Sequence, residues 1–246
     1  MKAVIIVVQI ILLGITSRTV FCQKECWRYG IDETSTEPYL SGELFTPAFP
    51  VDITTYFNKD WLPGDIFLED GRIIRNKRIK YNGLLDELFW LESESNQTVK
   101  LDKEAIRQFH FLNYSGDTSV YFRKLNVKRN ILADSGEIFC QELYHGDLSL
   151  FVLHNFYFDR KETVRTNKGY FLKDIYKEEP VYYIRYLNNK TVGFKSFNRK
   201  SLYAIAPGKK DLIKKFLKEN ITGKIQSNQE IIILIQFLSS VVDLQD

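Results

Sequence analysis

The stretch GDIFLEDGRIIRNKRIKYNGLLDELFWLES, residues 64–93, decides the fold class. Apolar residues gather on both sides of Asp70-Gly71, a dipeptide whose residues both tolerate positive φ, and this predicts a tight hairpin turn between two strands. Asn82-Gly83 predicts a bend leading into a further apolar strand over 84–91. Outward from this stretch the pattern repeats, with strands expected at 98–101, 107–112, 119–125, 137–144, 149–158, 181–187 and 191–197, the last two joined by a turn at Asn188-Asn189-Lys190. No helix of 10 to 15 residues separates these strands, so the spacing predicts antiparallel sheet rather than βαβ units. The 18 Phe, 14 Tyr and 3 Trp agree, because aromatic side chains suit a half-buried pleated surface.

After Pro207-Gly208 the period changes. In KKDLIKKFLKEN, Leu212, Ile213, Phe216 and Leu217 share one face of a helix, while Lys209, Lys210, Lys214, Lys215 and Lys218 fill the other. A second helix is expected from Asn228 as its cap, with Glu230 in the first turn and an apolar run through Ile231, Ile235, Phe237, Leu238 and Val241. The expected class is therefore α+β, a predominantly antiparallel β-sheet with two C-terminal helices. Its divisions are a leader over 1–22, an irregular N-terminal arm over 23–60, a β-rich domain over 61–206 and a helical pair over 207–246 packed on the sheet.

The leader reading rests on Met1-Lys2 followed by a 13-residue apolar run from Ala3 to Ile15, which Thr16, Ser17 and Arg18 end well short of the roughly 20 residues a spanning helix needs. Cleavage before Gln23 would put Val20 and Cys22 at the −3 and −1 positions; acylation of Cys22 is the alternative, set against the bulk of Phe21. The chain has 34 Lys+Arg against 31 Asp+Glu, and the leader holds Lys2 and Arg18, leaving a remainder of 32 against 31. That balance argues against nucleic acid as a partner. Export would put Cys26 and Cys140 in an oxidising compartment. A bridge between them would be worth roughly 4 to 5 kcal/mol in the chain-entropy view, while Cys140 as a buried apolar residue in IFCQEL is the plainer alternative.

Catalytic signatures are sparse. His110, His145 and His154 lack the i, i+4 spacing of a helical zinc site, and no metal or cofactor is expected. Ser135-Gly136 in ADSGEIF lacks the glycine two residues upstream that a nucleophile elbow needs. Asp86-Glu87, Glu69-Asp70 and Glu178-Glu179 are neighbours in sequence, and on a strand neighbours point to opposite faces, so none can flank a glycosidic bond alone. Arg72, Arg75, Lys77, Arg78 and Lys80 alternate with isoleucines, as charges blunting an exposed sheet edge would. Tyr182, Tyr183 and Tyr186 with Arg185 offer either a ligand-stacking face or sheet packing.

The stretch 64–93, together with IRQFHFL and SLYAIAPGKKDLIKKFLKENI, resembles a widespread group of exported proteins of the Bacteroidota type, a group with no assigned activity. The shared pattern is a strand running into Lys80, Tyr81 and Asn82, then Asp86-Glu87 and an apolar strand. The expected function is that of an exported, non-enzymatic structural or binding component of the periplasm or cell surface, with Tyr81, Asp86, Tyr183 and Arg185 as binding candidates. Two alternatives stand beside it: a hydrolase built from distant carboxylates around Asp86 and Glu87, and a module that binds a partner or its own copy as a homodimer through the C-terminal helix. No transmembrane span is expected once the leader is removed.

Overall fold

The computed structural model describes residues 40–46, 53–115, 118–128, 135–221, 223, 225 and 227–241. Cys26 and the expected leader lie outside them. The strands are β1 (Gly42–Leu44), β2 (Leu62–Leu68), β3 (Ile73–Asn82), β4 (Glu87–Leu91), β5 (Thr98–Leu101), β6 (Ile106–Ser115), β7 (Thr118–Lys128), β8 (Ser135–Tyr144), β9 (Leu148–Leu153), β10 (Phe156–Thr166), β11 (Gly169–Glu178), β12 (Val181–Tyr186) and β13 (Thr191–Phe194). The helices are α1 (Arg199–Ile205), α2 (Lys210–Asn220) and α3 (Asn228–Val241).

Eleven strands form one antiparallel sheet in the order β1-β5-β4-β3-β2-β6-β7-β8-β9-β12-β13, and β10 and β11 form a separate two-stranded hairpin. The β2-β3 turn closes at Asp70-Gly71 as expected. Gly71 has φ 88, and the Asp70 carboxylate accepts the Arg72 N–H at 3.0 Å. Gly64 is required by close approach, because a Cβ there would sit 2.4 Å from the His110 carbonyl oxygen of β6.

The N-terminal part of the sheet is strongly curled. Tyr81 of β3, Phe109 of β6, Phe122 of β7 and Phe139 of β8 share one core although β3 and β8 are four steps apart, about 19 Å in a flat sheet. Only a strong curl closes that distance. Phe109 stacks on Phe122 at 4.8 Å, and Tyr81 tilts against both. On the opposite face, Leu125 and Val127 of β7 join Cys140, Phe151, Val181 and Tyr183 in a second cluster. Leu148, Leu150 and Ile184 point to the first face and are covered by the helices, chiefly Leu202 of α1, Ile213 of α2 and Leu234, Ile235 and Leu238 of α3.

Several expectations are corrected. Among the described residues there are three helices, not two. The extra one, α1, lies inside the span expected to be β-rich; it starts on a capping box in which Asn198 accepts the Lys200 and Ser201 N–H groups while the Ser201 hydroxyl accepts the Asn198 N–H. At seven residues it is too short to show a 3.6-residue period. The arm over 23–60 is not wholly irregular, because β1 pairs with β5 and Ile53–Thr55 forms a 3-10 turn. The strand expected over 149–158 breaks at Asn155, whose carbonyl accepts the Glu179 N–H. The α3 cap is Ser227, reciprocally bonded to Glu230, whereas the Asn228 side chain accepts the Tyr182 hydroxyl. Leu212 is exposed, not on the buried face of α2. The basic run of β3 lies inside the sheet, between β2 and β4, so it blunts no edge.

Candidate functional site

Tyr81 and Asp86 are brought together. The turn after Asn82 is held by its side-chain oxygen, which accepts the Leu84 and Leu85 N–H groups, and Asp86 then takes φ 57, a left-handed conformation that aspartate tolerates. That geometry aims the buried carboxylate across the mouth of the first core. It accepts the Tyr81 hydroxyl at 2.7 Å, the Phe139 N–H of β8 at 3.1 Å, and the ammonium of Lys103, which also reaches the Glu137 carbonyl. The node ties β3 to β8 where the curled sheet closes on itself. Glu87 turns elsewhere, 3.6 Å from Lys100, which also pairs with Glu43; that hydrogen bond raises the Lys100 ammonium above its usual pKa. Asp86 and Glu87 do not converge.

Tyr183 and Arg185 belong to the second cluster, on the other face of the sheet. Burial pushes the Tyr183 hydroxyl up to about 12, and the Arg185 guanidinium lies over the Phe151 ring at 5.0 Å. The ladder pairing shows that Tyr183 stands in a row across six inner strands: Asp65 faces His110, His110 faces Tyr121, Tyr121 faces Glu142, Glu142 faces Phe151, and Phe151 faces Tyr183. A ladder of this kind can be read only once strand registers are known, and no sequence signal announced it.

Within the row, Asp65 sits at a bulge of β2, accepts the Asn76 N–H at 2.7 Å, and lies 3.4 Å from His110 Nε2 and 3.7 Å from Arg75. Desolvation lowers the His110 pKa, against the pull of the Asp65 charge, and His110 Nδ1 has no hydrogen-bond partner among the described residues. Arg123 lies 2.8 Å from Glu142 in an ion pair whose alignment is too bent for a hydrogen bond from Nε, and His145 meets the same carboxylate at 2.8 Å. Among the described residues, no group of three or more His, Cys, Asp and Glu could hold a metal ion.

The remaining feature is the β10-β11 hairpin. At about 3.3 Å per residue its strands run for roughly 35 Å, and Phe156 at the base is its one buried residue. The base is clamped by Glu178, which bonds His154 Nδ1 at 2.6 Å and is thereby held below the usual carboxylate pKa. Beyond it, Tyr157, Phe158, Tyr170 and Leu172 are exposed, the last two at 71% and 68%. Past residue 158 the sequence shows no sustained apolar alternation, because charged residues recur at 159–162, 165, 168, 173 and 174. The available signal was the β-branched and aromatic residues at 163, 164, 166, 170, 171, 175 and 176 on either side of Asn167-Lys168-Gly169. No known family, curated protein or solved structure matches the chain.

Proposed function

We propose that this is an exported, non-enzymatic binding component of a cell envelope of the Bacteroidota type, and that the β10-β11 arm is the part that engages its partner. The observation that carries the reading is the exposure of Tyr157, Phe158, Tyr170 and Leu172 on an arm whose one buried residue is Phe156 at its base, where Glu178 bonds His154. A two-stranded hairpin is marginally stable alone, and large apolar side chains held in water along one mark an interaction site. Mixed charges between the rings, such as Lys161 facing Asp174 at 3.7 Å, fit a protein surface with both signs of charge.

A photo-reactive residue at position 170 or 172, in cells making the protein, is expected to give a discrete cross-linked adduct, and one at exposed Leu187 in the β12-β13 turn is not. Equal adducts from all three positions would overturn the arm as the binding element. Turnover of any member of a panel of glycosides, esters and peptides, abolished by a single carboxylate substitution, would overturn the non-enzymatic reading. The hydrolase alternative has little to stand on at Asp86, whose oxygens are engaged by Tyr81, Phe139 and Lys103.

A further inference from the structure

The chain is nearly neutral as a whole, yet its charge is unevenly placed. Residues 195–221 hold eight of the 34 Lys and Arg but only two of the 31 Asp and Glu. Three of those cations line a cavity of about 630 Å³ bounded by α1, α2, Gly223 and Ile225, which is well inside the size range of small-molecule sites. Its floor is apolar, made by Phe197, Leu202, Leu217 and Ile221. Arg199, Lys214 and Lys218 line it as well, and all three are exposed at its rim. Recognition of an anion would fall chiefly to these side chains, because the Lys200 and Ser201 N–H groups of α1 are already taken by Asn198.

We infer that this cavity binds an anionic amphiphile: a molecule with one hydrocarbon chain, which takes the apolar floor, and an acidic head, which meets the three cations. An apolar floor alone would accept any neutral chain, and exposed cations alone would hold an anion only weakly and at high cost in salt sensitivity. The two together favour a ligand that carries both. This reading does not depend on the arm.

The test is calorimetric titration of the purified protein with decanoate, with decanol and with inorganic phosphate. Decanoate is expected to bind saturably at one site per chain, decanol about tenfold more weakly, and phosphate without measurable heat. Lys214→Glu combined with Lys218→Glu changes two exposed helix positions, so the fold should persist, as an unchanged circular-dichroism spectrum will verify; it is expected to remove the preference for decanoate over decanol. Leu217→Trp, which fills the cavity from its half-buried wall, is expected to weaken both ligands. Equal binding of decanoate and decanol by the native protein would overturn the inference, as would decanoate affinity unaltered in the charge-reversed variant. Binding to anionic vesicles without any binding of monomeric decanoate would also overturn it, assigning the basic face to a membrane surface instead.

Discussion

Asp86 shows how much one side chain does at the closure of the first core. Replacing it with alanine would take the carboxylate acceptor from the Phe139 N–H, leave the buried Tyr81 hydroxyl its weaker bond to the Phe139 carbonyl, and leave the Lys103 ammonium its bond to the Glu137 carbonyl. Loss of an acceptor costs about 1 to 3 kcal/mol for each buried donor it served, while Lys103, a third exposed, can turn to water. Asp86→Ala should therefore lower the stability measured by urea unfolding by about 3 kcal/mol or more, while Glu87→Ala, on a half-buried surface pair, should cost under about 1 kcal/mol. Equal effects would show that the node does not hold β3 to β8. His110 gives the pH dependence. The fold keeps it neutral to a lower pH than the free value of 6.5, so as pH falls through 6.5 the unfolded chain takes up the proton first and stability declines. Asp65, Arg75 and Tyr121 face the ring; His110→Gln should flatten the fall in melting temperature between pH 7 and the acid side of 6.5, with the native profile unchanged by the substitution as the contrary result.

At the scale of elements, local sequence chemistry decides where helices begin. Ser227 and Glu230 bond each other's backbone and side chain at the start of α3, and Ser227→Ala should cost about 1 kcal/mol in the same unfolding assay. Asn228→Ala removes only the acceptor of the Tyr182 hydroxyl and should cost less. The hairpin turns were equally legible, since Asp70-Gly71 and Asn188-Asn189-Lys190 carry the positive φ values their dipeptides suggest, at Gly71 and Asn189. The two short or charged elements, α1 and the β10-β11 arm, were not. A seven-residue helix makes fewer than two turns of periodicity, and a hairpin that buries only its base has no apolar face to display.

Across the whole molecule, the apolar run of α3 is spent inside the chain. Ile231, Leu234, Ile235 and Leu238 are buried, with α3 packed on β8 and β9, and Phe237 stacks on Phe216 of α2 at 4.1 Å. Leu238→Asp should therefore unfold or strongly destabilise the protein, by about 3 kcal/mol or more as seen by thermal melting. Ile233→Asp, at an exposed position of the same helix, should leave the melting temperature within a few degrees. No helix among the described residues is long and apolar enough to cross a membrane.

The sequence by itself determined the class: turn dipeptides, alternation and aromatic content dictate antiparallel sheet, and the lysine-backed period after Pro207-Gly208 dictates a helical C-terminus. These are local properties, set by allowed φ and by which face of an element is apolar. Tyr81 and Asp86 stand five residues apart, but their hydrogen bond depends on the left-handed backbone of Asp86, which their spacing does not announce. Only the tertiary structure decided that Phe139 and Lys103 complete that node, that Tyr183 and Arg185 lie on the opposite face, and that Asp65, His110, Tyr121 and Glu142 stand in one row. Those arrangements depend on strand order and register, and alternation along one strand leaves both unspecified until the sheet curls and chooses which faces become cores.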